Sequence, residues 1–154
     1  MKIYIKQFQN NIVLKKEKDA LVTSLLLETL GLEKKDLIIS FNKYGRPKVD
    51  NLKYFFDYNI SHSGKYLVMA TSFKFRVGVD VEKIRKIDKE TKSAVLNDND
   101  KEVDFFDIWT LKESYLKAKG NGLSVNLREI FFKKVSNDFV LFTGNEPNYN
   151  WRFR

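Results

Sequence analysis

At 154 residues, 43% of them apolar and with 13 Phe, 7 Tyr and 2 Trp, the chain can fill the core of one domain or of two small lobes that share it. It has no cysteine, which excludes disulfides, thiolate nucleophiles and thiolate metal sites, and it has no apolar run near the roughly 20 residues of a membrane span. The net charge of +8 sits almost wholly in residues 1–76, which carry +7 against +1 for residues 77–154, so the first half favours anionic ligands.

Met1 to Asn10 alternates apolar and polar residues without the apolar core of a signal peptide, which predicts a cytoplasmic protein. Lys2 to Gln7 reads as a strand with Ile3 and Ile5 on one face. Lys18 to Leu30 has helical spacing, with Leu21, Leu25 and Leu26 on one side and Gly31 as its stop. Leu37 to Phe41 suits a short strand, and Tyr44-Gly45-Arg46-Pro47 a turn. Tyr54 to Ile60 leads into Ser61-His62-Ser63-Gly64, read as a polar loop, and Tyr66 to Ser72 is a buried strand. Arg76 to Glu82 is predicted as a further strand, and Lys83 to Asp104 as a charged, solvated linker with some helix. Asp104 to Lys119 is the best helix of the second half, closed by Gly120-Asn121-Gly122. Ile130 to Val135 and Phe139 to Thr143 suit a hairpin, and Tyr149 to Phe153 a last strand.

Two segments carry the chemistry. A strand at Val79-Asp80-Val81-Glu82 projects Asp80 and Glu82 to one side, and a helix aligns Trp109, Glu113 and Lys117 in one stripe. Taken singly, an Asp-x-Glu edge and a Glu→Lys helix pair are ordinary, the pair contributing about 0.2–0.5 kcal/mol of helix stability. Brought together, they set three carboxylates beside lysines, the composition of an oxygen-ligand Mg²⁺ site for a phosphorylated substrate. His62 is the only histidine, so no multi-histidine metal site exists. Between Ser61 and Ser63 it offers, with their hydroxyls and the local backbone N–H groups, a cradle for phosphate. A Ser61–His62 hydrolase dyad is disfavoured, because adjacent strand residues point apart and no nucleophile-elbow motif surrounds the serine. No dinucleotide-binding or Walker glycine loop is present, and no aromatic–basic RNA motif argues for nucleic acid.

The ordered set Tyr44-Gly45-Arg46-Pro47, Asn59-Ile60-Ser61-His62-Ser63, Val77-Gly78-Val79-Asp80-Val81-Glu82 and Trp109 through Lys117 with Gly120 and Gly122 resembles a 4'-phosphopantetheinyl transferase of the surfactin-synthetase-activating type. The resemblance implies an α/β (α+β) fold of two similar lobes in pseudo-twofold arrangement, each a small mainly antiparallel sheet on a long helix. The lobes would be residues 1–76 and 77–154, forming one catalytic unit that works as a monomer without nucleic acid or membrane. It implies transfer of phosphopantetheine from coenzyme A to a serine of an acyl or peptidyl carrier protein, releasing 3',5'-ADP. Asp80, Glu82 and Glu113 would hold Mg²⁺, with Glu113 the base. Lys112 and Lys117 would neutralise phosphate charge, with Lys117 assisting the leaving group. Arg46, Ser61 and His62 would bind the coenzyme A phosphates, and the basic Lys83–Lys92 stretch would meet an acidic carrier. The alternative is a non-catalytic relative of the same fold, an anion-binding module or scaffold.

Overall fold

The computed structural model describes residues 1–9, 14–100, 103–120, 122, 125–135, 138–143, 146–148, 150, 151 and 153. The elements run β1 (Lys2–Gln7), α1 (Lys15–Leu30), β2 (Ile39–Phe41), β3 (Pro47–Val49), β4 (Asp57–Ser63), β5 (Tyr66–Ser72), α2 (Lys89–Val95), α3 (Phe105–Lys119), β6 (Phe131–Val135), β7 (Asp138–Thr143) and β8 (Glu146–Asn148). Among the described residues three antiparallel sheets result, ordered β1-β5-β4, β2-β3 and β6-β7-β8, which gives the mixed α/β class expected.

Two hydrophobic cores form, one in each half. Val22 and Leu26 of α1 pack on Tyr58 of β4 and on Leu67 and Met69 of β5. Ile108 and Leu116 of α3 pack with Val95 of α2, Phe132 of β6 and Leu141 of β7. Both long helices stop at a glycine in the left-handed region, Gly31 (φ 65°) and Gly120 (φ 73°), where a side chain would be strained. At the opposite ends, the Glu17 carboxylate accepts the Leu14 N–H at 3.1 Å, and Asp104 accepts the Phe106 N–H at 2.8 Å. Among the described residues no helix is long and apolar enough to cross a membrane.

Three expectations change. Ser61, His62 and Ser63 are not a loop: β4 runs through Ser63, pairing with Tyr66, and the turn is Gly64-Lys65. The last strand is Glu146–Asn148, ahead of the predicted Tyr149–Phe153; Tyr149 lies outside the described residues, while Trp151 and Phe153 pack edge-on against Tyr115 and Phe132. The predicted Arg76–Glu82 strand joins no sheet among the described residues. Its backbone is held by side chains of β4 instead, and that substitution builds the site.

Candidate active site

Strand alternation gives β4 two different faces. Tyr58 and Ile60 enter the first core, and His62 follows them on the α1 side. Asp57, Asn59, Ser61 and Ser63 lie on the other face, each a short polar side chain. Three of them, Asp57, Asn59 and Ser63, accept backbone N–H groups of residues 77–83 at a constant spacing along the chain, while Ser61 donates to Asp80. Val77 N–H donates to Asp57 Oδ2 (2.7 Å), Val79 N–H to Asn59 Oδ1 (2.9 Å) and Lys83 N–H to Ser63 Oγ (2.9 Å), each pair 20 residues apart. The 77–83 segment is thus pinned along β4 by side-chain acceptors in place of a backbone ladder, and three of its N–H donors, those of Val77, Val79 and Lys83, are satisfied that way. The signal was in the sequence, as the period-two run of short polar residues Asp57, Asn59, Ser61 and Ser63, but the partner segment could not be read from it.

Helix α3 closes the other side. A Cβ on Gly78 would collide with the Ser114 carbonyl oxygen and lie 2.6 Å from the Ala118 nitrogen, so only glycine lets this backbone press onto the helix. The contact brings Asp80 to Lys117. Lys117 Nζ donates to Asp80 Oδ1 at 2.6 Å and to Ser61 Oγ at 2.9 Å, and Ser61 Oγ donates to the same Asp80 oxygen at 2.7 Å. The Asp80 side chain is 3% exposed, and its second oxygen, Oδ2, is buried without a hydrogen-bond partner among the described residues. A buried carboxylate oxygen left bare is costly unless a cation or donor meets it.

Glu113 stands one helical turn before Lys117 and is half-buried. Burial pushes its carboxyl above the usual carboxylate range, the charge of Asp80 pushes it further, and Lys117 opposes the rise. Glu82 adds to the repulsion while binding Arg85 at 2.8 Å and lying 3.4 Å from the Ser63 hydroxyl. Glu113 therefore feels the charge of both other acids. Among the described residues, however, no group of three acids or histidines converges as closely as a bound metal requires. The donor set suits a hard cation by its chemistry: three carboxylates, one with an orphaned buried oxygen, and no soft ligand.

Glu113 and Lys117 line a cleft of about 360 Å³, whose other walls include Tyr44, Gly45, Arg46 and Asn59. A larger depression of about 610 Å³ opens between Lys89, Ser93 and Arg128, but it contains none of the residues just described. Of the residues just described, Asn59, Glu113 and Lys117 line the smaller cleft.

The remaining predicted residues separate. His62 Nε2 lies 2.6 Å from Lys18 Nζ. An ammonium only donates, so this ring nitrogen accepts and the imidazole is neutral with its proton on Nδ1. Partial burial lowers the His62 pKa, and the charges of Lys18 and Lys117 lower it further. Lys112 does not reach the cleft. It lies about 100° around the helix from Glu113, fully buried, donating to Asp100 Oδ2 at 2.6 Å and to the Val95 carbonyl at 2.7 Å. Burial pushes its ammonium down and the Asp100 carboxylate holds it up. The phosphate-neutralising role expected for Lys112 is corrected to a structural ion pair of the second core. Arg46 borders the cleft, but its guanidinium is turned onto protein acceptors: Asp57 Oδ2 at 2.6 Å, the Val77 carbonyl at 2.9 Å and the Lys117 carbonyl. Trp109, on the Glu113 stripe, packs edge-on against Phe105 at 5.2 Å in the second core.

An acid-rich segment laid against a lysine-bearing helix is the local architecture, and the comparisons with known proteins give the family. Residues 76–154 match the family model of the 4'-phosphopantetheinyl transferase superfamily, and the chain belongs to that superfamily. It is 30% identical over 141 residues to the 4'-phosphopantetheinyl transferase gsp of Aneurinibacillus migulanus, covering 83% of this chain and 57% of the relative. It is 32% identical over 120 residues to the 4'-phosphopantetheinyl transferase Sfp of Bacillus subtilis (strain 168), covering 71% and 53%. It is also 29% identical to the human L-aminoadipate-semialdehyde dehydrogenase-phosphopantetheinyl transferase, over 64% of this chain and 41% of the relative. The chain spans about half the length of the curated relatives it matches.

Proposed function

We propose that this cleft transfers the 4'-phosphopantetheine arm of coenzyme A to a serine hydroxyl of an acyl or peptidyl carrier protein. The observation that carries the reading is the Asp80–Ser61–Lys117 cluster beside Glu113 in a chain of this superfamily. In the transfer, the carrier hydroxyl forms a bond to the phosphorus that bears the pantetheine arm. The bond from that phosphorus to the bridging oxygen breaks, and 3',5'-ADP leaves with that oxygen's charge. The residues of the first half (1–76) would hold coenzyme A and those of the second (77–154) would supply the acids.

Asp80, Glu82 and Glu113 would hold Mg²⁺, which fits the bare Asp80 Oδ2 and the repulsion of Glu113 by the other two. When bound, the ion supplies charge neutralisation across the two phosphates. Glu113 takes the proton of the attacking hydroxyl, directly or through a water. Lys117, steadied by Asp80 and Ser61, offers its ammonium to the oxygen on which charge develops. His62 and Lys18, paired on the α1 side of β4, would be partners for a further phosphate. The exposed stretch from Lys83 to Lys86 follows the acid segment directly and would meet an acidic carrier.

The test is incubation of the chain with coenzyme A, Mg²⁺ and apo carrier proteins, read by carrier mass. A gain of one phosphopantetheine that disappears with a chelator is the expected result. No gain across acyl and peptidyl carriers, with coenzyme A still bound, would assign the chain to the anion-binding alternative.

A further inference from the structure

We propose that Arg46 and Asp57 are positioning residues: a buried clasp that sets the acid segment and the Lys117 turn of α3 at working distance, without touching substrate. The inference rests on the transferase reading for its kinetic consequence, but its structural content does not. The Arg46 and Asp57 side chains are 7% and 11% exposed and meet at 2.6 Å. Together they grip both polar groups of Val77: its N–H donates to Asp57 Oδ2 at 2.7 Å, and its carbonyl accepts from Arg46 Nη2 at 2.9 Å. Arg46 Nη1 donates to the carbonyl of Lys117, one of the last carbonyls of α3, which have no partner within the helix. A cation at a helix C-terminus is favoured by the helix dipole as well.

Val77 begins the segment that carries Asp80 three residues later, and Lys117 carries the ammonium that Asp80 binds. The clasp therefore fixes the backbone at both ends of the Asp80–Lys117 contact. Its own approach is prepared. Asn42 Oδ1 accepts the Tyr44 and Arg46 N–H groups at 2.9 Å each, shaping the turn, and Asn42 Nδ2 donates to the Gly120 carbonyl at 2.9 Å. A Cβ on Gly120 would come within 2.8 Å of Arg46 Cδ, so the glycine also leaves the path of the arginine open. Reaching three acceptors on three elements needs the planar fork of a guanidinium, which a lysine lacks.

The test pairs kinetics with amide hydrogen exchange on Arg46→Lys, Asp57→Asn and the apolar double variant Arg46→Met/Asp57→Leu. The double variant keeps the fold testable, since replacing both partners leaves no unpaired buried charge. A positioning clasp predicts that kcat falls by about 10- to 100-fold in all three, while KM for coenzyme A stays within about twofold. Exchange should quicken at residues 77–83 and at the end of α3 in Arg46→Lys and in the double variant. A rise in KM with kcat held would overturn the proposal and make Arg46 a phosphate ligand. Unchanged exchange at residues 77–83 would overturn it independently of any turnover. If the wild-type chain modified no carrier but exchange quickened as stated, the transferase reading would fall and the clasp would stand.

Discussion

Lys112 and Lys117 sit five residues apart on one helix and have opposite fates. Lys112 lies on the stripe of Ile108 and Leu116, fully buried in the second core against Asp100. Lys117 lies on the stripe of Glu113, its side chain 28% exposed, with its ammonium on Asp80 and Ser61 at the cleft. The difference is angular. Positions four apart stay on one face, while a shift of one residue turns the side chain by about 100°. A buried cation with a fixed partner and no solvent path serves the fold, whereas a half-open one beside an under-satisfied carboxylate is available to a ligand. Each face can be broken on its own.

The cleft face should give the largest effect. Glu113→Gln is expected to lower carrier modification by about 10³-fold, the scale of losing one preorganised group at a charged transition state. The same change should stabilise the metal-free fold at neutral pH. Because the folded carboxyl is raised above its ordinary value of 4.5, the folded state holds its proton more tightly than the unfolded state does. Glu113 therefore favours folding in acid, and that contribution is lost as pH rises from 4.5 through the folded value. A melting comparison of wild type and Glu113→Gln with chelator should show the gain near pH 7 and its disappearance in acid. Added Mg²⁺ should stabilise the wild type more than the variant. A variant that melts lower at pH 7 without metal would show that Glu113 is paired, not repelled.

The buried face should respond in stability and not in ligand affinity. Lys112→Met strands the Asp100 carboxylate in the core, and breaking a buried pair from one side costs about 3–5 kcal/mol. The compensating double variant Lys112→Met/Asp100→Leu should recover most of that loss in denaturant titrations. Coenzyme A affinity measured on the folded fraction should be unchanged. A weakened affinity in the double variant would return Lys112 to the phosphate site.

The same contrast marks what the sequence could tell. The long helices, β5 and the β6–β7 hairpin were legible because their apolar periods are regular and their ends carry Gly31, Gly120 and Asp104. The acid segment was legible as an alternating run and illegible as structure. Alternation describes an extended backbone, but not whether its donors find another strand or the side chains of Asp57, Asn59 and Ser63. The Glu113–Lys117 stripe followed from spacing alone. The separation of Lys112 was implicit in the same spacing, yet its partner Asp100 comes from a single 3-10 turn whose approach only tertiary packing determines. The partners of Arg46 were illegible for a related reason: a turn motif shows that an arginine is presented, not that Asp57 and two carbonyls lie waiting for it.

A third lysine sharpens the comparison with the smallest effect. Lys18 of α1 donates to His62 on the α1 side of β4, so the imidazole is neutral in the free protein. Its pKa is lowered from the ordinary 6.5 first by partial burial and then by Lys18 and Lys117. The sign follows from linkage. With the folded value depressed, the folded state binds this proton less tightly than the unfolded state. The contribution to stability is complete above pH 6.5 and is lost as pH falls through the folded value. Nuclear magnetic resonance reads the group without ambiguity, because the chain holds one histidine. The titration midpoint should lie below 6.5 and should rise only in part in Lys18→Met, since burial is the larger cause. A phosphate settling between Lys18 and His62 favours the protonated ring, so coenzyme A should lift the midpoint, and more so than a dephosphorylated analogue. If saturating coenzyme A leaves the midpoint where it was, His62 is removed from the phosphate-binding set, and the Asp80–Ser61–Lys117 cluster is left as the anion-facing part of the cleft.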